Sequence, residues 1–159
     1  MPASQPIGES ITREGLAALK EELYELETNG RRAISQRILA ARELGDLKEN
    51  AEYHAAKEDQ AHLETRIKRL RQRLRNAVVE DTQTDHPSFT FGRTAEVRDE
   101  DTGAVHTWTI VGSTEANRAE GKLSAASPVA KALLGREPGD LVEVETPRGQ
   151  RRLRIERLV

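Results

Sequence analysis

Two apolar stripes joined by a short polar step constrain this chain more than any other feature. Leu16, Leu19, Leu23 and Leu26 follow one another at 3-4-3 spacing, which places them on one face of a helix. Thr12 is a good N-cap for that helix, and Glu14 lies in the first turn, where the helix dipole favours an acid. The pattern breaks at the turn-type dipeptide Asn29-Gly30 and resumes in a new phase with Ile34, Ile38, Ala41 and Leu44. This predicts a kink or short interruption near Gly30 and a second helical segment reaching Leu44. Gly45 is placed to end it in the left-handed conformation.

From Asn50 to Val79 the chain has no Gly or Pro and carries a further stripe of Ala56, Leu63, Ile67, Leu70, Leu74 and Ala77. Stripes joined by a few residues bury each other only by packing antiparallel. The expectation is a helical hairpin, an arm on the order of 40 Å long at 1.5 Å per residue. Both stripes thin towards the turn, where Ala replaces Leu, so the far end of the arm is narrow and polar.

That end carries "GDLKEN", with Asp46 and Glu49 three residues apart. The spacing fits a capping box, with Asp46 as N-cap and Glu49 at N3. Asn50 competes as the N-cap, and if it caps, the two acids lie free in the loop. Free carboxylates at the end of an arm suit a hard divalent cation such as Mg²⁺, which takes one or two carboxylates with waters and phosphate oxygens. Two carboxylates make no complete cage, but they can complete a site whose other ligands belong to a partner. Arg42, Lys48 and Lys57 flank the tip, placed to meet phosphates. The basic run Arg66, Lys68, Arg69, Arg71, Arg73 and Arg75 reads first as a solvated face.

The second half reads as a small α+β domain after the polar linker Asp81–Ser88, which divides the chain into residues 1–80 and 81–159. "TAEVRD" and "VHTWTIVG" alternate as strands around the turn "EDTG". "SPVAKALLG" is a short helix with Ser127 as N-cap, Pro128 at N1 and Gly135 at its end. "LVEVET" and "RRLRIERL" form a hairpin across "PRGQ". The result is four or five strands with one helix on one face.

Composition removes several function classes. Only 3% of residues are aromatic, against 33% charged, which argues against a base-stacking platform or an aromatic-lined pocket. A net charge of −2 is not that of a general nucleic-acid binder. The absence of cysteine excludes disulfides and thiolate metal sites, and the four histidines show no ligand spacing. No apolar run approaches a membrane span, so the expectation is a soluble cytoplasmic protein without a membrane partner. No phosphate loop and no nucleophile-base constellation appears.

Nearly the whole chain, in order, resembles the Gre transcript cleavage factor family. The matching segments are "ITREGLAALKEELYEL", "ARELGDLKENAEYHAAKEDQ", "ETRIKRL" and "EGKLSAASPVAKALLGREPGDLVEVETPRG". The resemblance implies an N-terminal antiparallel coiled coil with an acidic tip, which enters the secondary channel of bacterial RNA polymerase. It also implies an FKBP-like C-terminal domain, an antiparallel sheet with one short helix, that docks on the polymerase outside the channel. Carried over residue by residue, the tip acids are Asp46 and Glu49, which would share a Mg²⁺ ion with the polymerase and promote its hydrolysis of backtracked RNA near the nascent 3′ end. Arg42 and Lys57 are then candidate RNA or channel contacts, and Ser127 and Pro128 candidate docking residues. The protein would be a monomer and no enzyme by itself. The alternative is a Gre-like inhibitor that occludes the channel without promoting cleavage. "TNGRR" departs from the Pro-containing break of many members, which puts the angle of a kink in question. An FKBP-like fold implies no prolyl isomerase activity, because fold does not fix function.

Overall fold

The computed structural model describes residues 8–159. The chain divides into two compact units: Ala17–Asn76, and a second that joins Ala77–Val159 to the N-terminal segment ending at Leu16.

The helical unit grows from α1 (Arg13–Glu25), which runs into a π-helical turn (Leu26–Gly30) and then α2 (Arg31–Arg42). The expected interruption near Gly30 is therefore a widened turn in an unbroken helix. Gly30 keeps right-handed helical angles, φ −61° and ψ −50°. A π turn absorbs extra residues without leaving the helix, which is why the apolar stripe resumes in a new phase. Leu19, Leu23, Ile38 and Ala41 are buried. The helix stops at Arg42, two residues short of the expectation, and Leu44 is exposed outside the stripe.

After the tip loop comes α3 (Ala51–Asn76), which buries Ala56, Ile67 and Leu70. Antiparallel pairing is visible in the ion pairs Glu27–Arg71, Arg31–Glu64 and Arg37–Asp59, at 2.8, 2.9 and 2.8 Å, whose partner numbers fall as the first rise. The Arg31 guanidinium holds the Glu64 carboxyl below its usual value, yet these pairs are exposed and serve register more than stability. α3 ends at Asn76, short of the expected Val79. The Val-rich Ala77–Val79 instead forms β2, parallel to β1 (Glu9–Ile11), as suits β-branched residues that lose χ1 freedom in a helix.

The second unit is built on β3 (Thr94–Asp99), β4 (Val105–Val111), β5 (Lys122–Ser124), β6 (Leu141–Thr146) and β7 (Gly149–Leu158), with α4 (Pro128–Leu133) packed against them. The sheet order is β5-β4-β3-β7-β6. Pairing is antiparallel except between β4 and β5, which are parallel, so the sheet is mixed where an antiparallel one was expected. The β6–β7 turn is tighter than expected, since Gly149 and Gln150 already pair with Thr146 and Glu145.

Alternation sends Ala95 and Val97 of β3, Val142 and Val144 of β6, and Leu153 and Ile155 of β7 into one core with Ile110, Ala130 and Leu133. Phe89 and Phe91 close this core. They are packing residues, and the linker therefore ends at the buried Ser88. The α4 termini match the sequence. Ser127 Oγ accepts the Ala130 N–H at 3.2 Å, and Gly135 follows the helix with φ +79°.

Candidate functional site

The loop between α2 and α3 is defined at its far side by Asn50. Its Oδ1 accepts the Tyr53 N–H at 3.0 Å, which makes Asn50 the N-cap of α3. Its Nδ2 donates to the Ala41 carbonyl at 2.6 Å, so the same side chain ties the end of α2 to the start of α3. Gly45, at φ +118°, turns the chain out of α2 in a region that strongly favours glycine.

Asp46 and Glu49 therefore do not form the capping box that their spacing suggests. Asp46 Oδ1 accepts the Lys48 N–H at 3.0 Å, a local Asx turn that leaves its other lone pairs open. Glu49 has no hydrogen-bond or ion-pair partner among the described residues. Both acids are exposed. The Lys48 carbonyl lies 3.1 Å from His54 Nε2, a contact that braces the loop against the first turn of α3. Tyr53 and His54 follow the capping Asn50 by one turn, the one sequence signal that places them beside the loop.

The flanking cations are less available than their spacing implied. Arg42 closes α2 with its guanidinium carbon 5.9 Å from the centre of the Tyr53 ring, a cation–π arrangement beside the loop. Lys57 Nζ donates to Gln60 Oε1 at 2.9 Å on its own helix, one turn and more into α3. Lys48, between the two acids, is exposed.

Ser127 and Pro128 lie in the other unit. They sit at the start of α4 and line a cleft of about 1090 Å³ together with Asn117, Arg118, Lys122 and Arg148. On its wall His106 stacks on Trp108, ring centres 4.9 Å apart and planes 4° from parallel. Among the described residues no group of three or more His, Asp or Glu side chains is arranged to hold a metal ion. No helix of the described residues is long and apolar enough to cross a membrane.

Known proteins match along almost the full length. The family model "Transcription elongation factor, N-terminal" matches residues 9–79, and "Transcription elongation factor, GreA/GreB, C-term" matches residues 84–158. Transcription elongation factor GreA of Roseiflexus sp. (strain RS-1) is 47% identical over 146 residues, covering 91% of this chain and 93% of that protein. The protein of the same name from Nautilia profundicola is 47% identical over 151 residues, covering 94% and 93%. Among solved structures, the GreA factor homolog 1 protein of Thermus thermophilus is 28% identical, covers 94% of this chain and 97% of that one, and has a TM-score of 0.42.

Proposed function

The chain belongs to the GreA/GreB family of transcription elongation factors, and from that premise we propose that it binds bacterial RNA polymerase, carries its tip loop into the secondary channel and stimulates the polymerase's own cleavage of backtracked RNA. The observation that carries this reading is the division of labour in the loop. Asn50 does the capping, and Asp46 and Glu49 are left exposed with most of their oxygen lone pairs uncommitted.

Carboxylate oxygens are the donors a hard cation prefers, and Mg²⁺ takes them at only one or two positions. The tip pair supplies two hard oxygen donors of the kind such an ion takes, so on this reading its remaining ligands come from the polymerase. Asp46 and Glu49 would hold Mg²⁺ jointly with the polymerase, where the ion supplies Lewis-acid activation of phosphate and water. The chain's own contribution is to bring two negative charges to that place on a braced loop. Its Asx turn at Asp46 and the His54–Lys48 contact limit the conformations those charges must give up on binding. Arg42 and Lys57 are the candidate contacts to RNA phosphate or the channel wall, and the cleft beside Ser127 and Pro128 is the candidate docking surface outside the channel. On this reading the protein acts as a monomer and completes its partner's active site, having none of its own.

The test uses backtracked elongation complexes carrying 3′-labelled RNA. Adding the protein is expected to release short 3′ fragments. Slowed synthesis without fragment release would overturn the proposal and identify a channel-blocking inhibitor instead.

A further inference from the structure

His54 is the side chain that α3 sends back into the tip loop. Its own N–H donates to the Asn50 carbonyl at 3.1 Å, which fixes its backbone in the first turn of the helix. Its Nε2 lies 3.1 Å from the Lys48 carbonyl oxygen. A carbonyl oxygen only accepts, so Nε2 carries the proton and donates. The N–H of the same Lys48 goes to Asp46 Oδ1 at 3.0 Å. Lys48 is therefore held by both of its backbone polar groups, one tied to the loop and the other to the helix.

The consequence of the His54 bond falls on Glu49. The Lys48 carbonyl and the Glu49 N–H belong to one planar peptide group, so fixing the oxygen fixes the plane from which Glu49 departs. On the other side, Asn50 is fixed by two bonds of its own, from the Tyr53 N–H and to the Ala41 carbonyl. Glu49 thus sits between two anchored neighbours, with its own side chain exposed. Asp46 is aimed independently, because its own carboxylate makes the Asx bond to Lys48. All of these residues belong to the one compact unit Ala17–Asn76.

We propose that His54 is a positioning residue for Glu49: its Nε2–H, acting through the Lys48 carbonyl, sets the direction in which the Glu49 carboxylate leaves the loop. The inference rests on the cleavage function proposed above. Mg²⁺ takes its oxygens only near octahedral positions at about 2.1 Å, so a carboxylate that swings about its backbone spends little time where a shared ion can use it. Misplacement by about 1 Å is enough to cost on the order of a hundredfold in a catalytic step. Without the His54 bond the Lys48–Glu49 peptide turns, and Glu49 samples directions that miss the ion while Asp46 keeps its own bond. Bound factor then cleaves more slowly, with its affinity little changed.

The test compares wild type with His54→Leu, His54→Gln and Ala55→Gly. Leu replaces the ring without a donor, whereas Gln offers an amide N–H at a reach close to that of Nε2 and relays no proton. Ala55→Gly weakens the same exposed turn through helix propensity and keeps the imidazole. Two readouts are taken: the backbone amide order parameter of Glu49 in the free protein, and cleavage of backtracked complexes as a function of factor concentration. In His54→Leu the order parameter is expected to fall from the rigid range of about 0.85 towards about 0.6. The saturating cleavage rate should drop by about tenfold while the half-saturating concentration shifts by less than about threefold. His54→Gln should keep the Glu49 amide ordered and stay within about threefold of the wild-type rate. Ala55→Gly should leave the saturating rate unchanged.

A saturating rate for His54→Leu within about twofold of wild type would overturn the proposal, as would an equal loss in Ala55→Gly. A loss in His54→Gln as deep as in His54→Leu, with the Glu49 amide still ordered, would also overturn it and point to the imidazole acting directly on the RNA or the channel. If wild type itself stimulates no cleavage, the functional reading has failed, and the Glu49 order parameter in His54→Leu decides the positioning: a fall upholds it and no change sinks it.

Discussion

The β3–β4 turn and the α2–α3 loop are both short and acidic, and their acids are treated in opposite ways. In the first, Asp99, Glu100 and Asp101 are each met by an arginine of β7: Arg151, Arg154 and Arg152, at 3.0, 2.7 and 2.9 Å. Asp99 also accepts the N–H groups of Asp101 and Thr102, at 2.9 and 3.2 Å. Burial works against its charge, but the Arg151 guanidinium and those two N–H groups outweigh it and hold the carboxyl below the usual aspartate value. In the second loop, Asp46 makes one local backbone bond and the neighbouring guanidinium of Arg42 faces a tyrosine ring. An acidic turn stitched down by arginines belongs to the fold. In the acidic tip loop the nearest guanidinium faces an aromatic ring, and neither Asp46 nor Glu49 is ion-paired among the described residues.

That contrast breaks most visibly at Asp99. Asp99→Ala leaves Arg151 and two turn N–H groups without their acceptor, and should cost about 2–4 kcal/mol in urea or thermal unfolding. Because the folded-state value is depressed, this contribution is fully present above the ordinary aspartate value of about 3.9 and is lost as pH falls through the depressed one. The gap between wild type and Asp99→Ala should therefore narrow in acid, and a gap unchanged down to pH 3 would count against the assignment.

At the tip, Asp46→Asn should leave unfolding untouched. It should raise the Mg²⁺ concentration needed for half-maximal cleavage by about tenfold, as expected when one hard ligand of a shared site is weakened. An unaltered Mg²⁺ requirement would separate Asp46 from the metal. Asn50→Ala removes the cap that the two acids do not supply, and should cost about 1 kcal/mol with exchange rising in the first turn of α3. Asp101→Asn loosens an exposed pair and should move Tm by no more than about 1–2 °C. A larger shift would mean that the turn's outer acids matter more than their exposure implies.

Much of this architecture is legible in the sequence because it is local. The leucine stripe of α1, the Ser127-Pro128 start of α4 and the alternation of "TAEVRD" and "LVEVET" each declare an element from its own residues. What stayed hidden depends on partners distant in the chain. Ala77–Val79 reads as the end of a helix because nothing nearby announces that residues 9–11 lie beside it as a strand. Lys122–Ser124 is too short to show that it pairs parallel to β4. Asn29-Gly30 carries a turn signal, yet tertiary packing of the hairpin holds Gly30 helical and spends the mismatch on a π turn. At the site, the choice between Asp46 and Asn50 as cap was open from spacing alone, since both residue types cap well. It is settled by the second bond of Asn50 to Ala41, a contact across the hairpin. Thr12 declares itself as a cap, but the acceptor of its own N–H, Glu115, is hidden for the same reason, lying 103 residues away.

The most direct test of the central claim follows one double variant, Asp46→Ala with Glu49→Ala, through three readouts on the same preparation: thermal unfolding, polymerase binding and release of 3′-labelled RNA fragments from backtracked complexes. The expected result is an unchanged Tm, binding within a few fold of wild type, and a loss of fragment release of about a hundredfold or more, as when ligands that act together on a shared ion are removed. A variant that unfolds earlier, or that loses binding as steeply as it loses cleavage, would contradict the claim that these carboxylates are held free of the fold for chemistry.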